Sequence, residues 1–251
     1  MILDKFSLKG KVAIVTGSDT GLGQGISRAF VEAGAKVLGV SRSPSTETQE
    51  MLGNENFILL TADLSALDPI DTIIKPAVDT FGCLDILVNN AGIIKRQDSI
   101  EFSVENWDSV MNVNVRTLFF LSQAAAKQFI KQNSGGKIIS IASMLSYQGG
   151  IRVPSYTASK SAVKGITMTM ANEWAQYGIN VNAIAPGYMA TNNTQALRAD
   201  PKRSEAILER IPAGRWGTPD DIMGAAVFLA SSASDYVNGF TLAVDGGWLG
   251  R

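Results

Sequence analysis

The stretch KVAIVTGSDTGLGQGISRAFVEAG, residues 11–34, reads as a strand, a glycine-rich loop and a helix in one continuous run. Lys11 to Thr16 is a short β-branched apolar segment. Leu22 to Gly34 has helical apolar spacing and stops at a glycine. The loop between them, from Thr16 to Gly23, places Gly17, Gly21 and Gly23 where a backbone must turn tightly and approach a ligand. The helix behind it presents unpaired N–H groups that suit a pyrophosphate. An ordinary βα turn also uses glycine, but the position directly after the first strand favours a dinucleotide cradle made by Gly17, Asp19, Thr20, Gly21, Leu22 and Gly23.

The same alternation continues outward. Strands are expected at Lys36 to Val40, Phe57 to Thr61, Leu84 to Val88, Lys137 to Ala142, Asn180 to Ala185 and Thr241 to Val244. Helical patterns fall near Leu67 to Phe81, Val104 to Gln132, Ser155 to Gly178 and Ile222 to Ala230, the last after the start signal Thr218-Pro219-Asp220. Strands alternating with helices over the whole length predict an α/β fold, a doubly wound parallel sheet of about seven strands with helices on both faces. No repeat, low-complexity tract or linker divides residues 1–251, so one domain is expected. The polar insertion at about 188–212 is expected to form a lid.

At 251 residues and 45% hydrophobic, the chain can bury a substantial core. Its net charge of −1 comes without a block of like charge, which points away from nucleic acid and membrane surfaces and towards small molecules. The single cysteine, Cys83, makes no internal disulfide, and no segment has the apolar run of a signal peptide or membrane span, so a soluble cytoplasmic protein is expected. There is no histidine. A Ser-His-Asp triad and a His-ligated metal are thereby excluded, and no metal site is expected. The chemistry is expected to rely on a borrowed cofactor.

Ligands of open parallel sheets bind at the carboxyl ends of the strands. Ser41 and Arg42 follow the second strand, where an acid would hold ribose hydroxyls and an Arg would accommodate a 2′-phosphate. Arg42 leans towards NADP, while acidic Asp19 in the glycine loop leans the other way. Asp63 and Leu64 end the third strand, and Asp63 either meets an adenine or caps the following helix. Asn89-Asn90-Ala91-Gly92 ends the fourth, with amides to bridge strands and small residues to let a cofactor lie close. The long helix from Val104 carries a stripe, Trp107, Met111, Asn114, Leu118 and Leu121, that should be mostly core. Asn114 is a polar residue in it, bonded either to local backbone or to an ordered water. Ser143 ends the fifth strand, and Pro186-Gly187 ends the sixth.

Tyr156 and Lys160 are four residues apart on one helix and share a face. Two unit charges ~5 Å apart at an effective dielectric of ~20 interact by roughly 3 kcal/mol, about two pKa units off the phenol. Lys160 is therefore expected to depress Tyr156 towards proton transfer near neutral pH.

Thr16-Gly17-x3-Gly21-x-Gly23, Asn89-Asn90-Ala91-Gly92, Asn114, Ser143, Tyr156-x3-Lys160 and Pro186-Gly187, in this order, resemble the short-chain dehydrogenase/reductase family across essentially the whole chain. That resemblance implies a Rossmann-like fold, NAD(P) over the glycine loop, and hydride transfer between nicotinamide and a carbinol or carbonyl carbon. It implies Tyr156 as acid/base and Ser143 as the hydrogen-bond partner of the substrate oxygen. Lys160 would lower the phenol and hold ribose hydroxyls, Asn114 would order a water leading to solvent, and Thr191 would contact the carboxamide. Longer runs, Ser18 to Gly25, Ser143 to Tyr156 and Gly187 to Thr194, resemble the deoxy sugar acid dehydrogenases of that family, implying NAD preference and a cytoplasmic homotetramer. The exposed faces of the helices at Val104 to Gln132 and Ser155 to Gly178, with Trp248 and Leu249, are the expected subunit contacts. Within the same family another carbonyl reductase, a gluconate 5-dehydrogenase or a 3-oxoacyl thioester reductase, is an alternative, and a non-catalytic nucleotide-sensing protein is another. A sugar acid needs a cation and polar groups, for which Arg96, Met144, Gln148, Arg152, Met189 and Asn193 are the candidates.

Overall fold

The computed structural model describes residues 1–44 and 46–251, apart from the side chain of Asp71. Strand β1 (Val12–Thr16) leads through the glycine loop into helix α1 (Gly21–Glu32), then β2 (Lys36–Ser41), α2 (Glu47–Leu52), β3 (Phe57–Thr61), α3 (Ile70–Phe81) and β4 (Ile86–Asn89). The second half runs α4 (Val104–Met111), α5 (Leu118–Gln132), β5 (Gly136–Ile141), α6 (Pro154–Trp174), β6 (Ile179–Pro186), α7 (Gln195–Ala199), α8 (Pro201–Leu208), α9 (Pro219–Ala230) and β7 (Thr241–Val244). The expected doubly wound sheet is what forms: seven parallel strands in the order β3-β2-β1-β4-β5-β6-β7.

Strand residues alternate between two apolar layers. Val12 and Ile14 of β1 pack with Ile73 and Ala77 of α3, Leu121 and Phe129 of α5, and Met170 of α6. Ala13 and Val15 point the other way, to Ile26 and Phe30 of α1 and Ile222 and Leu229 of α9. Both faces of the sheet are thus dry, which is why its strands are continuously apolar.

The order of β1 and β4 about the sheet centre creates the switch point where the chain leaves in opposite directions, and the functional cavities lie at the carboxyl ends there. The helix expected at 104–132 is broken by one turn of π-helix, Asn112–Thr117, which holds Asn114. Trp107 of its apolar stripe is 40% exposed, so it is not core. Helix α2 carries no strong apolar period and was not expected from the sequence. The lid region contains α7 and α8. Among the described residues no helix is long and apolar enough to cross a membrane, and no cluster of three metal-ligating side chains occurs.

Candidate active site

The glycine loop is shaped by side chains from elsewhere in the chain. Asn90 Nδ2 donates to the carbonyls of Thr16 (2.9 Å) and Gly17 (3.0 Å), and Thr16 Oγ1 accepts from the N–H groups of Asn90 (3.0 Å) and Ala91 (2.9 Å). The end of β4 is thereby stapled to the end of β1. Gly23 has no alternative: a Cβ there would lie 2.0 Å from the Gly17 carbonyl oxygen. Gly17 adopts φ +65, a left-handed conformation that disfavours a side chain. On the outer side, Thr48 of α2 donates to the Ser18 carbonyl (3.0 Å) and accepts from Gln24 Nε2 (3.1 Å). Sequence reading missed Thr48, since a lone threonine in a short polar helix gives no signal.

These elements wall a groove of about 290 Å³ at the carboxyl end of the sheet. Asp19, Thr20, Gly21 and Leu22 line it from the loop, and Asn90, Ala91 and Gly92 from β4. Ser143, Tyr156, Lys160, Pro186, Gly187, Met189, Thr191 and Asn193 complete the other side. Thr191 Cγ2 lies across from Gly21, 3.6 Å from where a Cβ would stand. The loop, the N-terminus of α1 and the close packing at Gly92, where a Cβ would meet Asn114 Oδ1 at 3.2 Å, fit a dinucleotide whose diphosphate needs bare backbone. Gly23 is packed behind the loop rather than on the groove surface.

Ser41, Arg42, Asp63 and Leu64 lie outside this lining, towards the β2–β3 edge where the groove would continue. Ser41 is buried and donates to the Ser43 carbonyl, and the Leu64 carbonyl accepts from Thr117 Oγ1. Asp63 does not cap α3, whose first turn follows Pro69; its carboxylate accepts the Ser65 N–H at 2.9 Å instead. That hydrogen bond and, more weakly, the charge of Arg42 hold its carboxyl below the usual range.

A second cavity, of about 360 Å³, opens between the loop after β4, the segment after β5 and the lid. Ser143 and Tyr156, with Gly187, Asn193 and Thr194, line both cavities and form the wall the two share. Burial pushes the Tyr156 phenol up, opposed by a hydrogen bond with Ser143 and by the nearby charge of Arg96. Lys160 is held close by. Its Nζ is 5.6 Å from the Tyr156 ring centre and donates to the Ile141 carbonyl at 2.6 Å, and burial alone lowers its pKa to about 8. An amine with a pKa of about 8 is still mostly charged at neutral pH, and the charge of Arg96 acts on the phenol as well.

Asn114 is bonded to the backbone of a distant segment and to a helix side chain. Its Nδ2 donates to the Ile93 carbonyl (3.0 Å) and to Ser159 Oγ (3.1 Å), while Oδ1 accepts the Ile93 N–H (2.9 Å). It clamps the segment after Gly92 against the helix that bears Tyr156.

Of the substrate candidates, Arg96, Met144, Gln148 and Asn193 line the second cavity. Arg152 and Met189 do not. Arg152 has a 60% exposed side chain, is paired with Asp98 at 2.8 Å and adopts φ +64, which turns it away from the cavity that its neighbours Ile151 and Val153 line. Met189 is buried against Gly217 and faces the cofactor groove. Sequence reading missed Arg203, Arg210 and Trp248, which close the cavity from the lid and the C-terminus. Trp248 is 4% exposed within its own chain, between Tyr188 (4.8 Å between ring centres) and the Arg210 guanidinium (4.1 Å), so it is not the exposed subunit contact expected.

A family model described as enoyl-(acyl carrier protein) reductase matches residues 17–249. The chain is 64% identical to the 2-dehydro-3-deoxy-D-gluconate 5-dehydrogenase of Escherichia coli, over 100% of both chains, and 57% identical to the protein of that name from Bacillus subtilis, over 99% of this chain and 98% of the other. Among solved structures, an Agrobacterium tumefaciens protein under the provisional name 2-deoxy-D-gluconate 3-dehydrogenase, with bound NADP, superposes with a TM-score of 0.92 at 55% identity, covering 99% of this chain and 100% of that one. With the shared wall of Ser143 and Tyr156 beside a glycine-loop groove, these matches over the whole length settle the family: the chain belongs to the short-chain dehydrogenases/reductases.

Proposed function

We propose that this chain is an NAD(P)-dependent dehydrogenase that interconverts a secondary hydroxyl and a ketone on a deoxy sugar acid, 2-dehydro-3-deoxy-D-gluconate being the substrate that its relatives' names suggest. The observation that carries the reading is the wall bearing Ser143 and Tyr156 between a groove fit for a dinucleotide and a cavity whose described lining residues include three arginines and no acid. A bound nicotinamide would supply the hydride-accepting or hydride-donating carbon.

The chain's own residues do the rest. In oxidation, Tyr156 takes the hydroxyl proton while the Ser143 hydroxyl holds the same oxygen as negative charge develops on it. Arg96 favours the ionised phenol electrostatically, which counts for more because the phenol is shielded from water. Lys160, able to gain or lose a proton near pH 8, is suited to pass it onward from the phenol. Asn114 fixes the segment beyond Gly92 so that the helix face keeps its distance from the groove. Ser41, Arg42, Asp63 and Leu64 would border the adenosine end. Arg42 supports acceptance of a 2′-phosphate, and its partial compensation by Asp63 is compatible with NAD, the cofactor that the resemblance favours.

Residues 1–251 would work as one cofactor-binding and catalytic unit. The same reading carries a cytoplasmic homotetramer. Phe120 and Ile130 on α5 and Met168 on α6, all partly exposed, support self-association, which sedimentation velocity tests. The deciding assay follows cofactor absorbance with a panel of keto and hydroxy sugar acids, with NAD and NADP separately. Reduction of acyl thioesters with no turnover of any sugar acid would overturn the proposal.

A further inference from the structure

The second cavity is positively charged on a chain whose net charge is −1: Arg96, Arg203 and Arg210 are its charged lining residues among those described. None of the three is within ion-pair distance of a described acid. Arg28, Arg152 and Arg215, which do not line it, are each paired with an aspartate; what sets Arg96, Arg203 and Arg210 apart is that they border one cavity. Three guanidinium groups bordering one concave space, with no acid among its described lining residues, make it attractive to an anion.

The arginines come from different segments. Arg96 follows β4, and its Nη2 donates to the Asn193 carbonyl at 3.0 Å. Arg203 and Arg210 belong to the lid: Arg203 lies in α8, Arg210 just past its end in a turn where its N–H donates to the Ile207 carbonyl at 3.1 Å, and both line the cavity beside buried Ile207. Arg210 is stacked 4.1 Å over the Trp248 ring, and Trp248 is itself held by a hydrogen bond from Nε1 to Gln148 Oε1 at 3.2 Å. Stacking fixes the guanidinium plane while leaving its N–H edges free for a bidentate acceptor.

We infer that Arg203 and Arg210 receive the substrate carboxylate, with Arg210 preset by Trp248, and that Arg96 serves the opposite end beside the reacting hydroxyl. This rests on the sugar-acid reading above. In 2-dehydro-3-deoxy-D-gluconate the C1 carboxylate and the C5 hydroxyl are four carbon–carbon bonds apart, each about 1.5 Å. With the hydroxyl at Tyr156, the carboxylate therefore extends away from it, towards the lid. Arg96 is engaged at the Tyr156 end, where its charge reaches the phenol.

The test is steady-state kinetics of Arg210→Gln, Arg203→Gln, Arg96→Gln and Arg152→Gln on the sugar acid and on its neutral C1 amide. Loss of one charge-assisted contact should raise KM for the acid by about 10- to 100-fold in the two lid variants, with kcat within about threefold. The amide should change less than about threefold, because it has no charge to lose. Arg210→Lys should recover part of the loss. Arg96→Gln should lower kcat for acid and amide alike, and Arg152→Gln should alter neither. Equal losses on acid and amide in the lid variants, or an unchanged KM for the acid, would overturn the assignment. If the unaltered enzyme turns over no sugar acid, the sugar-acid reading falls by itself. Calorimetric titration with gluconate then tests the arginines alone: binding that disappears in both lid variants sustains them, and binding equal to the unaltered protein, or none by that protein, removes them.

Discussion

Replacing Lys160 by Met should make the cofactor-free protein more stable, and more so at neutral pH than at alkaline pH. Lys160 is 4% exposed, and burial lowers its pKa from 10.5 to about 8. The folded protein thus disfavours the charged amine by roughly 3 kcal/mol relative to the unfolded chain. Because the folded value is depressed, that cost is fully present below about pH 8 and fades as pH rises towards 10.5. Against it stands the hydrogen bond from Nζ to the Ile141 carbonyl, worth about 1 kcal/mol net. Met has similar length and no charge, so the variant should gain about 2 kcal/mol at pH 7, or a Tm rise of about 4–8 °C for a chain of this size. Between pH 7 and pH 9.5 the advantage should shrink by roughly 2 kcal/mol, since the wild-type amine is then already neutral when folded. Urea unfolding of both proteins at the two pH values, at one protein concentration, measures the difference, and other titrating groups cancel. An advantage that does not vary with pH, or a Met variant destabilised throughout, would refute the reasoning that Lys160 carries a burial cost. Loss of turnover in the same variant would show that the cost is retained for function.

Tyr156→Phe should abolish turnover while leaving cofactor affinity, read by fluorescence titration, within a few-fold; substantial activity would remove the phenol from its proposed role. Gly23→Ala would push a Cβ to 2.0 Å from the Gly17 carbonyl oxygen, and an overpacking cost of about 1–3 kcal/mol in the loop should weaken cofactor binding by roughly 5- to 150-fold. Arg96→Gln removes a charge that lowers the phenol, so the acidic limb of kcat/KM for oxidation should move to higher pH; an unmoved limb would mean that Arg96 does not act on Tyr156. Asp221 pairs with Arg215 and caps α9, which holds its carboxyl far below the usual range. Its contribution is therefore present above the ordinary carboxylate pKa and lost as pH falls. Asp221→Asn should cost about 0.5–2 kcal/mol at pH 7 by urea unfolding and flatten the acid side of the stability curve.

Read alone, the sequence determined the parts of this protein that depend on local order. Apolar runs broken by glycine gave the strands and their parallel sheet, because both faces of such a sheet must be dry and the helices between strands advertise their buried stripe. The loop from Gly17 to Gly23 was legible for the same reason, since its left-handed turn favours glycine and only glycine tolerates the 2.0 Å approach found there. The pairing of Tyr156 with Lys160 needed only the helical period. What tertiary structure decided was the direction in which charges act. Helical spacing cannot show that Lys160 is aimed at the Ile141 carbonyl and desolvated, or that the charge of Arg96, sixty residues earlier in the chain, also reaches the phenol. Nor can loop position tell Arg152, paired with Asp98 and turned outward, from Arg203 and Arg210, which reach the cavity because the lid folds back over it and Trp248 returns from the last strand to hold one of them. Burial and charge pairing are set by contacts between residues distant in sequence, and so the strands and the tyrosine could be read from the chain while the arginines could be assigned only in the fold.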